Sequence, residues 1–538
     1  MPDRPAPAPS APPPLPRAHR PGEALLVVAA ATFMMVLDTT VVVVALPAIQ
    51  QQFRPSFYRL ELVLVVYVVA QGALLLLAGY LCDRFGRRLV FGLGVAGLGL
   101  TSLLCGLAPT IDALILARLA EGVASAFAFG AGLALLNAET PAPRRPAAFG
   151  LWAAVLGAGV AAGPIVGGVV VTLAGWPWIF FINVPIAGAV VGLTFTRVGE
   201  STGAPRAAWD LSGAALFIGA AATALVAAEQ GPSQGWGSPW VVALLAGFVG
   251  CAVGFLWRER TAVAPMFDLT LFRRRGFLLG TLGTVVIALT YWSLFVYLPL
   301  YFQRYLGASP LDAGVALLPI ALASVLTSLG AGRAAVRWGS ARIFFVGMGL
   351  SAVGGSLLYG AAAGSGVWAY LPGLALVGAG AGLYQPEISR AALSAAPEGE
   401  AGVASAMNST LRALSVAFGW AGGAVLFGAA VTNGFVARIA GGPIAATGLT
   451  SRLVAAIIPG EFAAGAALLP PALRGLYYPA ARASFYDGLH GIFALGVVAA
   501  LVGMILTWWI GLRGPRSDPR AQAGPAVADG RRAKAPPT

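Results

Sequence analysis

The sequence G-Y-L-C-D-R-F-G-R-R, Gly79 to Arg88, is a short charged turn between two long apolar stretches near residues 60–81 and 89–108. A helix needs about 20 apolar residues to cross the hydrocarbon layer of a membrane, and both stretches are long enough. The glycines allow a tight turn, and the arginines favour the water at a membrane surface. This passage therefore predicts two membrane-spanning helices that are joined at one surface.

Segments of this kind run along the whole chain. Fourteen of them lie near residues 25–47, 60–81, 89–108, 112–136, 147–173, 177–197, 210–229, 237–257, 276–301, 310–332, 341–361, 367–390, 403–430 and 488–512. They are apolar without alternation, which argues against a membrane β-barrel. We predict an all-α polytopic membrane protein with 14 transmembrane helices.

The composition agrees with this class, since 58% of the residues are hydrophobic and only 10% are charged. A soluble domain has roughly 25% charged residues. The net charge of +13 comes mainly from arginines in short loops and in the two tails. Such charges set membrane topology and attract lipid headgroups, so we expect the lipid bilayer, and no nucleic acid, as their partner.

Enzymatic chemistry has no visible basis in this sequence. Lys534 is the only lysine, which excludes a phosphate-binding loop of the Walker type and a Schiff-base lysine. The cysteines and histidines have neither metal-ligand nor disulfide spacing. They are Cys82, Cys105, Cys251, His19 and His490. We expect no enzymatic activity, no catalytic residue, no cofactor and no metal.

The turn at Gly79 recurs later in the chain as G-R-A-A-V-R-W-G, Gly332 to Gly339, with Gly, Arg and Gly at one fixed offset. A nearly equal offset relates V-A-L-P, Val44–Pro47, to V-Y-L-P, Val296–Pro299. The first span thus corresponds to the ninth. We predict two related six-helix halves around two extra helices, a 6+2+6 plan that suits alternating access.

These patterns divide the chain into five regions. They are a disordered Pro-rich tail at 1–23, a six-helix half at 24–200, two extra helices with a linker at 201–275, a second half at 276–512 with an outer loop at 431–487, and a disordered tail at 513–538. Arginines concentrate in the loops after even-numbered spans, which places both termini in the cytoplasm. The Arg-rich, Lys-poor composition suggests a bacterial genome, and hence the bacterial inner membrane.

Four further strings connect the chain to a known family. They are L-D-T-T-V-V-V-V-A-L-P (Leu37–Pro47), R-L-A-E-G-V-A-S-A (Arg118–Ala126), G-A-G-V-A-A-G-P-I-V-G-G (Gly157–Gly168) and W-P-W-I-F-F-I-N-V-P (Trp176–Pro185). With them the chain resembles the major facilitator superfamily, and more narrowly its fourteen-span drug:proton antiporter family. The resemblance implies the major facilitator fold and the export of small molecules in exchange for protons.

Asp38 lies inside the first apolar span, where a charged group costs roughly 3 kcal/mol. Such an acid takes a proton or finds a partner, which suits a proton carrier. The alternative is a packing acid held by the hydroxyls of Thr39 and Thr40. The resemblance supports the first interpretation, because the family's aspartate at this place is tied to proton coupling or cation recognition.

Arg118 and Glu121 lie one turn apart on the fourth span. If the first and fourth spans are neighbours, as the family fold implies, Arg118 can bias the protonation of Asp38. The alternative is a local Arg118–Glu121 pair with no transport role. The family usually has glutamine at the position of Glu121, so this acid either neutralises Arg118 or is a second proton site.

In the fifth span Gly159, Gly163 and Gly167 recur every fourth residue, and Pro164 removes one backbone donor. Such a smooth, bent helix suits a rocking interface between the halves, and ordinary helix packing is the alternative. Its G-P-x-x-G-G ending matches the family's antiporter motif.

The turn residues Gly79, Asp83, Arg84, Gly86 and Arg87 are predicted to hold the halves in one state, with Asp83 making charge contacts from a helix end. Positive-inside topology alone explains the arginines but not this acid. The later copy of the turn lacks it, so the predicted latch is one-sided.

The ninth span is rich in aromatic residues, which suit flat or cationic ligands. We predict that Trp292 and Tyr297 bind substrate, and that Tyr301 and Phe302 belong to the aromatic belt at the membrane surface. Glu387, near the inner end of the twelfth span, is a further candidate for substrate binding. Pairing with a neighbouring arginine is its alternative.

Together these patterns predict a proton-coupled antiporter, acting as a monomer, that exports amphipathic or cationic small molecules such as drugs or antibiotics. A symporter or facilitator for a nutrient would move protons in the opposite sense, and a membrane receptor would bind ligand without flux. Val43 and Pro177 stand where the family commonly has asparagine and arginine. These departures concern the substrate range and not the fold.

Overall fold

The computed structural model describes residues 21–201, 210–262, 267–395 and 401–512. Within these residues the chain forms helices and no strand. Fourteen of the helices are long and apolar enough to cross a membrane, so the predicted all-α polytopic fold with 14 spans is confirmed. Most of both predicted tails and parts of the linker at 201–275 lie outside the described residues.

In chain order, spans 1 to 7 are Pro21–Phe53, Phe57–Phe85, Arg87–Gly106, Ile111–Glu139, Arg145–Ala174, Trp178–Arg197 and Leu211–Gln234. Spans 8 to 14 are Pro239–Thr261, Arg275–Tyr305, Pro310–Trp338, Ser340–Gly360, Val367–Ser394, Ala401–Ile439 and Pro471–Leu512. Span 9 contains π-helical turns at Ala288–Trp292 and Tyr301–Tyr305.

Hydroxyl side chains define where several spans begin. Ser56 Oγ accepts a hydrogen bond from the Arg59 amide at 3.3 Å, and Thr110 Oγ1 accepts one from the Ala113 amide at 3.2 Å. Such N-caps satisfy amide groups that the first turn of a helix leaves without partners. The spans therefore start at residues that a hydropathy pattern alone does not mark.

Two glycines at equivalent places of the predicted repeat make the tightest connections. Gly86 has φ 103° and joins span 2 to span 3, and Gly339 has φ 84° and joins span 10 to span 11. This region of φ favours glycine over residues with a Cβ atom. The shared conformation explains why the G-x₄-R-x-G pattern recurs.

Consecutive spans run in opposite directions, so their ends form two faces. We call the face that carries the start of span 1 and the turns at Gly86 and Gly339 the N-terminal face. The opposite face carries the connections at 54–56, 107–110 and 306–309. These names describe the molecule without assigning either face to a compartment.

The most extensive contacts of spans 1–6 with spans 9–14 are span 2 on span 13, span 5 on span 10, and span 1 on span 9. The contact of span 2 is close, because a Cβ atom added to Gly72 would lie 2.6 Å from the Cβ of Ala413. In the predicted repeat, span 2 corresponds to span 10 and span 5 to span 13. The contact of span 2 with span 13 and the contact of span 5 with span 10 are therefore equivalent, as expected for two related halves. Span 7 packs on span 8 and also touches spans 2 and 13. The 6+2+6 plan itself remains a prediction.

The segment predicted as an outer loop, 431–487, is largely helical. Span 13 continues to Ile439, span 14 begins at Pro471, and the short helices Thr450–Ile457 and Phe462–Ala467 lie between them. These short helices pack against the ends of spans 13 and 14. The sequence did not indicate them because their composition is mixed and each is shorter than a membrane span.

Candidate functional site

Asp38 is buried in span 1 and forms an ion pair with Arg118 of span 4. Arg118 Nη1 lies 2.5 Å from Asp38 Oδ2, and the two side chains are 0% and 1% exposed. Asn183 of span 6 donates from Nδ2 to the second oxygen, Asp38 Oδ1, at 2.9 Å. The carboxylate of Asp38 is therefore held by three spans of the N-terminal half, as the predicted proximity of spans 1 and 4 requires.

Glu121 is the second acid on the same guanidinium. Arg118 Nη1 lies 2.7 Å from Glu121 Oε2, and the Glu121 side chain is also fully buried. Ser102 of span 3 donates a short hydrogen bond to Glu121 Oε1, and Cys105 Sγ lies 3.4 Å from Oε2. Both expected arrangements thus occur together: Arg118 contacts Glu121 on its own helix and Asp38 on its neighbour.

Main-chain and aromatic contacts fix the Arg118 side chain in place. Its Nε donates to the Val63 carbonyl oxygen at 3.1 Å. The guanidinium carbon lies 4.3 Å from the ring centroid of Tyr67 and 5.6 Å from that of Phe180. A planar guanidinium can donate hydrogen bonds in its plane while aromatic rings stack on its faces, as happens here.

The charges of this cluster do not balance. One guanidinium faces two carboxyl groups, and the side chains of spans 1 to 4 and 6 shield all three groups from solvent. With both carboxyl groups ionised, one negative charge would remain uncompensated, which costs several kcal/mol in a buried site. A single proton on either acid removes that charge. Charge balance in this buried cluster therefore favours one proton shared between the two acids.

The glycine stripe of span 5 packs within its own half. A Cβ atom at Gly159 would lie 3.1 Å from Val36 Cβ, one at Gly167 would lie 3.1 Å from Val41 Cα, and one at Gly163 would overlap the side chain of Thr40. All three neighbours belong to span 1. Ordinary helix packing, the alternative from the sequence, therefore describes these three glycines.

The contact between the halves is made by the adjacent face of span 5. A Cβ atom at Gly168 would lie 2.8 Å from Leu311 Cα in span 10, and one at Gly314 would overlap the main-chain oxygen of Pro164. Pro164 thus lies at the predicted interface, next to the stripe rather than within it. The close approach leaves no room for a side chain at either glycine.

The turn at Gly79–Arg88 contacts the segment after span 6. The Arg87 amide donates to the Ser201 oxygen at 2.9 Å, and the Arg88 amide donates to Glu200 Oε1 at 3.0 Å. Glu200 thereby caps the start of span 3, where a carboxylate is favourable. Arg84 is exposed, with Nη1 3.4 Å from the Tyr80 hydroxyl.

For the two remaining residues of the predicted latch, Gly79 and Asp83, the structure describes no contact between the halves. A Cβ atom at Gly79 would meet nothing within 4 Å. The side chain of Asp83 lies outside the described residues. The role of these turn residues in holding the halves stays a prediction.

The aromatic residues of span 9 occupy two environments. Trp292 is half-buried and Tyr297 is 1% exposed. Tyr301 and Phe302 are fully buried, so their assignment to a membrane-surface belt is wrong. The Tyr370 hydroxyl donates to the Tyr301 hydroxyl at 3.0 Å, because spans 12 and 14 enclose this end of span 9.

Glu387 pairs with a neighbour on its own helix. Arg390 Nη2 lies 2.6 Å from Glu387 Oε2, and Arg390 Nε donates to both carboxylate oxygens at 2.8 and 2.9 Å. Arg390 also donates to Ser340 Oγ at 2.6 Å. This geometry matches the pairing alternative and ties span 12 to span 11.

Glu61 is a buried acid of span 2, 4% exposed. The Tyr297 hydroxyl lies 2.7 Å from Glu61 Oε1, which links span 2 of the first half to span 9 of the second. Tyr297, predicted to bind substrate, is therefore engaged with this acid.

Comparison with known protein families shows to which family the chain belongs. A family model described as the Major Facilitator Superfamily matches residues 28–420. The chain belongs to the Major Facilitator Superfamily. Members of this superfamily are membrane transporters, so the chain is a multi-pass transport protein rather than an enzyme.

Several bacterial relatives are similar over most of the chain. A tetracenomycin C resistance and export protein of Streptomyces glaucescens is 32% identical over 496 residues, which cover 90% of each chain. A puromycin resistance protein of Streptomyces alboniger is 36% identical over 387 residues, covering 70% of this chain and 76% of the relative. A multidrug resistance protein of Mycobacterium tuberculosis is 33% identical over 380 residues, covering 70% of each.

Solved structures show the same fold at low sequence identity. A bacterial homologue of the human lysosomal transporter Spinster aligns with a TM-score of 0.60 and 15% identity, over 91% of this chain and 98% of the other. A D-xylose–proton symporter aligns with a TM-score of 0.55 and 16% identity, over 82% and 96%. The predicted major facilitator fold is confirmed.

Four polar residues of the spans were not predicted from the sequence to have a functional role. Asn183 lies within the string W-P-W-I-F-F-I-N-V-P, but its position in that string does not reveal its partner. Ser102 is a small hydroxyl in a glycine-rich span and gave no signal. Glu61 and Arg412 each stand as a lone charge in an apolar stretch, which is the same signal that identified Asp38 and which applied to them equally.

Arg412 lies on a face of span 13 directed at the second half's own interior. On that face Asn408 Nδ2 lies 3.5 Å from Ser389 Oγ of span 12, and a Cβ atom at Gly419 would lie 3.5 Å from Ala288 of span 9. Arg412 stands between these two positions and is half-buried. Among the described residues no hydrogen-bond acceptor or ion-pair partner contacts its guanidinium.

Proposed function

We propose that this transporter exports amphipathic small molecules across the bacterial cell membrane in exchange for protons, with both termini in the cytoplasm and the monomer as the active unit. The observation that carries the proposal is the unbalanced cluster of Asp38, Arg118 and Glu121. A buried site that needs one proton for charge neutrality can bind and release that proton as the two halves move.

The geometry supports separate roles for the three residues. Asp38 carries the exchangeable proton, because its two oxygens contact Arg118 of span 4 and Asn183 of span 6, so that movement of these spans changes the partners of its carboxyl group. Arg118 tunes the site, since it contacts both carboxyl groups and the Val63 carbonyl. Glu121 supplies the excess negative charge that makes the proton necessary. Movement of spans 1 and 4 changes these distances and therefore the affinity for the proton.

Relatives that are named for resistance to antibiotics support the substrate class. They are named for resistance to tetracenomycin C, to puromycin and to multiple drugs. In this chain Trp292 is a half-buried aromatic side chain near the middle of span 9. The guanidinium of Arg412, which meets no acceptor among the described residues, can donate to a carbonyl or phenol oxygen of a ligand. Together they favour ligands that combine flat apolar rings with oxygen acceptors. Cationic amphiphiles are the second class of ligand in this proposal. Glu387 has its charge satisfied by Arg390, so its predicted contact with substrate is indirect.

Alternating access requires two halves that separate first at one face and then at the other. The contacts of span 5 with span 10 and of span 2 with span 13 are the hinge surfaces in this proposal. Pro164 and Gly168 allow span 5 to approach span 10 closely on the side of the opposite face. The glycine stripe gives span 5 a rigid fit to span 1, so that the two helices move together.

Flux measurements in proteoliposomes test the proposed function. Purified protein is reconstituted, a pH gradient is imposed, and uptake of a tetracyclic phenol, puromycin and a fluorescent lipophilic cation is followed together with internal pH. Uptake of at least one ligand against the direction of proton flow supports antiport. Movement of ligand and protons in the same direction, or binding of all three ligands without flux, contradicts the proposal.

A further inference from the structure

Glu61 is a buried carboxyl group that the Asp38 cluster does not use. It lies in the second turn of span 2, near the opposite face, and is 4% exposed. Among the described residues no arginine pairs with it; Arg59, two positions earlier, forms its ion pair with Asp112 of span 4. An ionised carboxylate without a cation is unfavourable in such a place, and a protonated one is not.

The hydrogen bonds around Tyr297 also favour the protonated acid. The Tyr297 hydroxyl lies 2.7 Å from Glu61 Oε1 and 3.0 Å from the Trp420 carbonyl oxygen. A phenol has one proton and cannot donate fully to two acceptors. If Glu61 carries a proton, it donates to the phenol oxygen, and the phenol donates to the carbonyl. The carboxyl O–H and the phenol O–H then each have one acceptor.

This hydrogen-bonded chain crosses the junction between the halves. Glu61 belongs to span 2, Tyr297 to span 9 and Trp420 to span 13. The ring of Phe427 in span 13 stacks on both Phe57 and Tyr297, with each pair of centroids 5.6 Å apart. Separation of the halves at the opposite face must therefore remove the Glu61 carboxyl group from Tyr297.

A small pocket with a cavity volume of about 20 Å³, enough for a water molecule, lies beside Glu61 between spans 2, 7 and 13. Its polar lining consists of Tyr58 and Glu61 of span 2 and Glu229 of span 7, while span 13 contributes Ala421 and Ala424. Span 7, one of the two extra helices, thus places a second carboxyl group in the pocket that contains Glu61. A half-buried acid beside water is suited to passing a proton inward.

We propose that Glu61 is a second proton-binding site of the transport cycle, loaded when the halves are closed at the opposite face and emptied when they separate there. In the closed state the carboxyl O–H donates to Tyr297. On separation the O–H bond breaks, the proton passes to water in the pocket beside Glu229, and the carboxylate remains hydrated. On closure the reverse steps occur, and one proton from the same face restores the O–H bond.

This inference rests on the proposed function, because it assigns a conformational use to proton binding in the same transporter. It concerns a different acid and a different pair of spans from the Asp38 cluster, although Arg118 of that cluster reaches the Val63 carbonyl oxygen, two positions beyond Glu61 in span 2. The surrounding titratable groups are Tyr58 and Arg59 on span 2, Glu229 on span 7 and Tyr297 on span 9. The two sites can therefore be tested one at a time.

Infrared difference spectroscopy on the full-length protein in lipid nanodiscs tests the protonation state without any transport. At neutral pH the proton of the Asp38 cluster and the proton of Glu61 should each give the C=O band of a protonated carboxylic acid in the wild type. We expect Glu61→Gln to lose the Glu61 band, Asp38→Asn to keep it, and Tyr297→Phe to shift it because the hydrogen bond is removed. Asp112→Asn, an exposed acid near the same face, is the control and should leave the band unchanged. Identical bands in the wild type and Glu61→Gln overturn the proposal.

A distance measurement tests the link to conformation. Spin labels at Gln51 of span 1 and Ala463 of the short helix Phe462–Ala467 are exposed and report separation at the opposite face. Raising the pH should increase the long-distance population in the wild type and in Asp38→Asn, but not in Glu61→Gln, which cannot ionise. The same pH response in Glu61→Gln and the wild type contradicts the gating role. If antiport is absent while both Glu61 effects occur, the proposed function fails and the Glu61 site stands.

Discussion

The Arg118 guanidinium and the Asp38 carboxylate join span 4 to span 1 across 2.5 Å, although 80 positions separate them in the sequence. Neither group reaches solvent. The pair therefore lies fixed in the interior of the first half. Its net charge changes when one of its carboxyl neighbours binds or releases a proton. Glu121 makes that change necessary, since it gives the same guanidinium a second carboxyl group.

Replacing Arg118 by alanine should destabilise the protein strongly. Two carboxyl groups would be left buried without a cation, and removal of one partner from a buried ion pair costs about 3–5 kcal/mol. A thermal melt in detergent at neutral pH measures the loss. Arg59→Ala is the matched control, because its ion pair with Asp112 is exposed and contributes about 1 kcal/mol or less. Equal losses in the two variants would contradict the buried cluster.

Gly163→Ala should loosen the fit of span 5 on span 1. The added methyl group would overlap the side chain of Thr40, and overpacking of this kind costs about 1–3 kcal/mol. Gly150→Ala is a control in the same span, where an added Cβ atom meets nothing within 4 Å. That control should be neutral or stabilising by up to about 1 kcal/mol, because alanine favours a helix. Melting temperatures of both variants check the prediction.

Asp210→Asn should lower stability in a pH-dependent way. Burial raises the pKa of Asp210, but hydrogen bonds from the Gly213 amide and Ser212 and the nearby Arg258 outweigh it and hold the pKa below its ordinary value. Such a group stabilises the folded state above the unfolded pKa, and that contribution is lost as the pH falls through the lowered folded pKa. Asparagine can still cap the helix, so the expected loss is that of the charge interaction with the partly exposed Arg258, about 1 kcal/mol or less.

The melting temperatures of Asp210→Asn and the wild type should therefore differ at neutral pH and converge in acid. A constant difference across the pH range would show that the charge of Asp210 is not involved.

Two variants in the second half should separate stability from ligand binding. Glu387→Gln weakens the ion pair between the buried Glu387 and the half-exposed Arg390, so we expect a loss of about 1–3 kcal/mol in stability and an unchanged Kd for the transported ligand. Arg412→Gln removes a guanidinium without a partner among the described residues, so we expect little change in stability and a several-fold higher Kd. Equilibrium binding and thermal melts on the same samples check both. The opposite pattern would return Glu387 to the substrate site.

The sequence predicted those features that depend on local chemistry. Asp38 and Arg118 are charges in apolar runs, and a charge in lipid always needs an explanation. Gly86 and Gly339 recur because a loop-free turn between helices needs positive φ. These residues carry their signal in the few positions around them.

The remaining contacts depend on packing between distant segments. Glu200 caps span 3 from beyond span 6, and Tyr297 meets Glu61 across 236 positions. Ser102 is an ordinary serine until span 4 places Glu121 beside it. The helices within 431–487 escaped prediction because burial against spans 13 and 14, rather than their own hydropathy, stabilises them.

The most direct test of the account compares the wild type with Asp38→Asn in proteoliposomes under an imposed pH gradient, with Asp112→Asn as the control. Ligand and proton fluxes are measured together, and ligand binding is measured separately. We predict opposed fluxes in the wild type and the control, and retained binding without proton-driven flux in Asp38→Asn. Undiminished exchange of ligand for protons in Asp38→Asn would contradict the assignment of the exchangeable proton to Asp38.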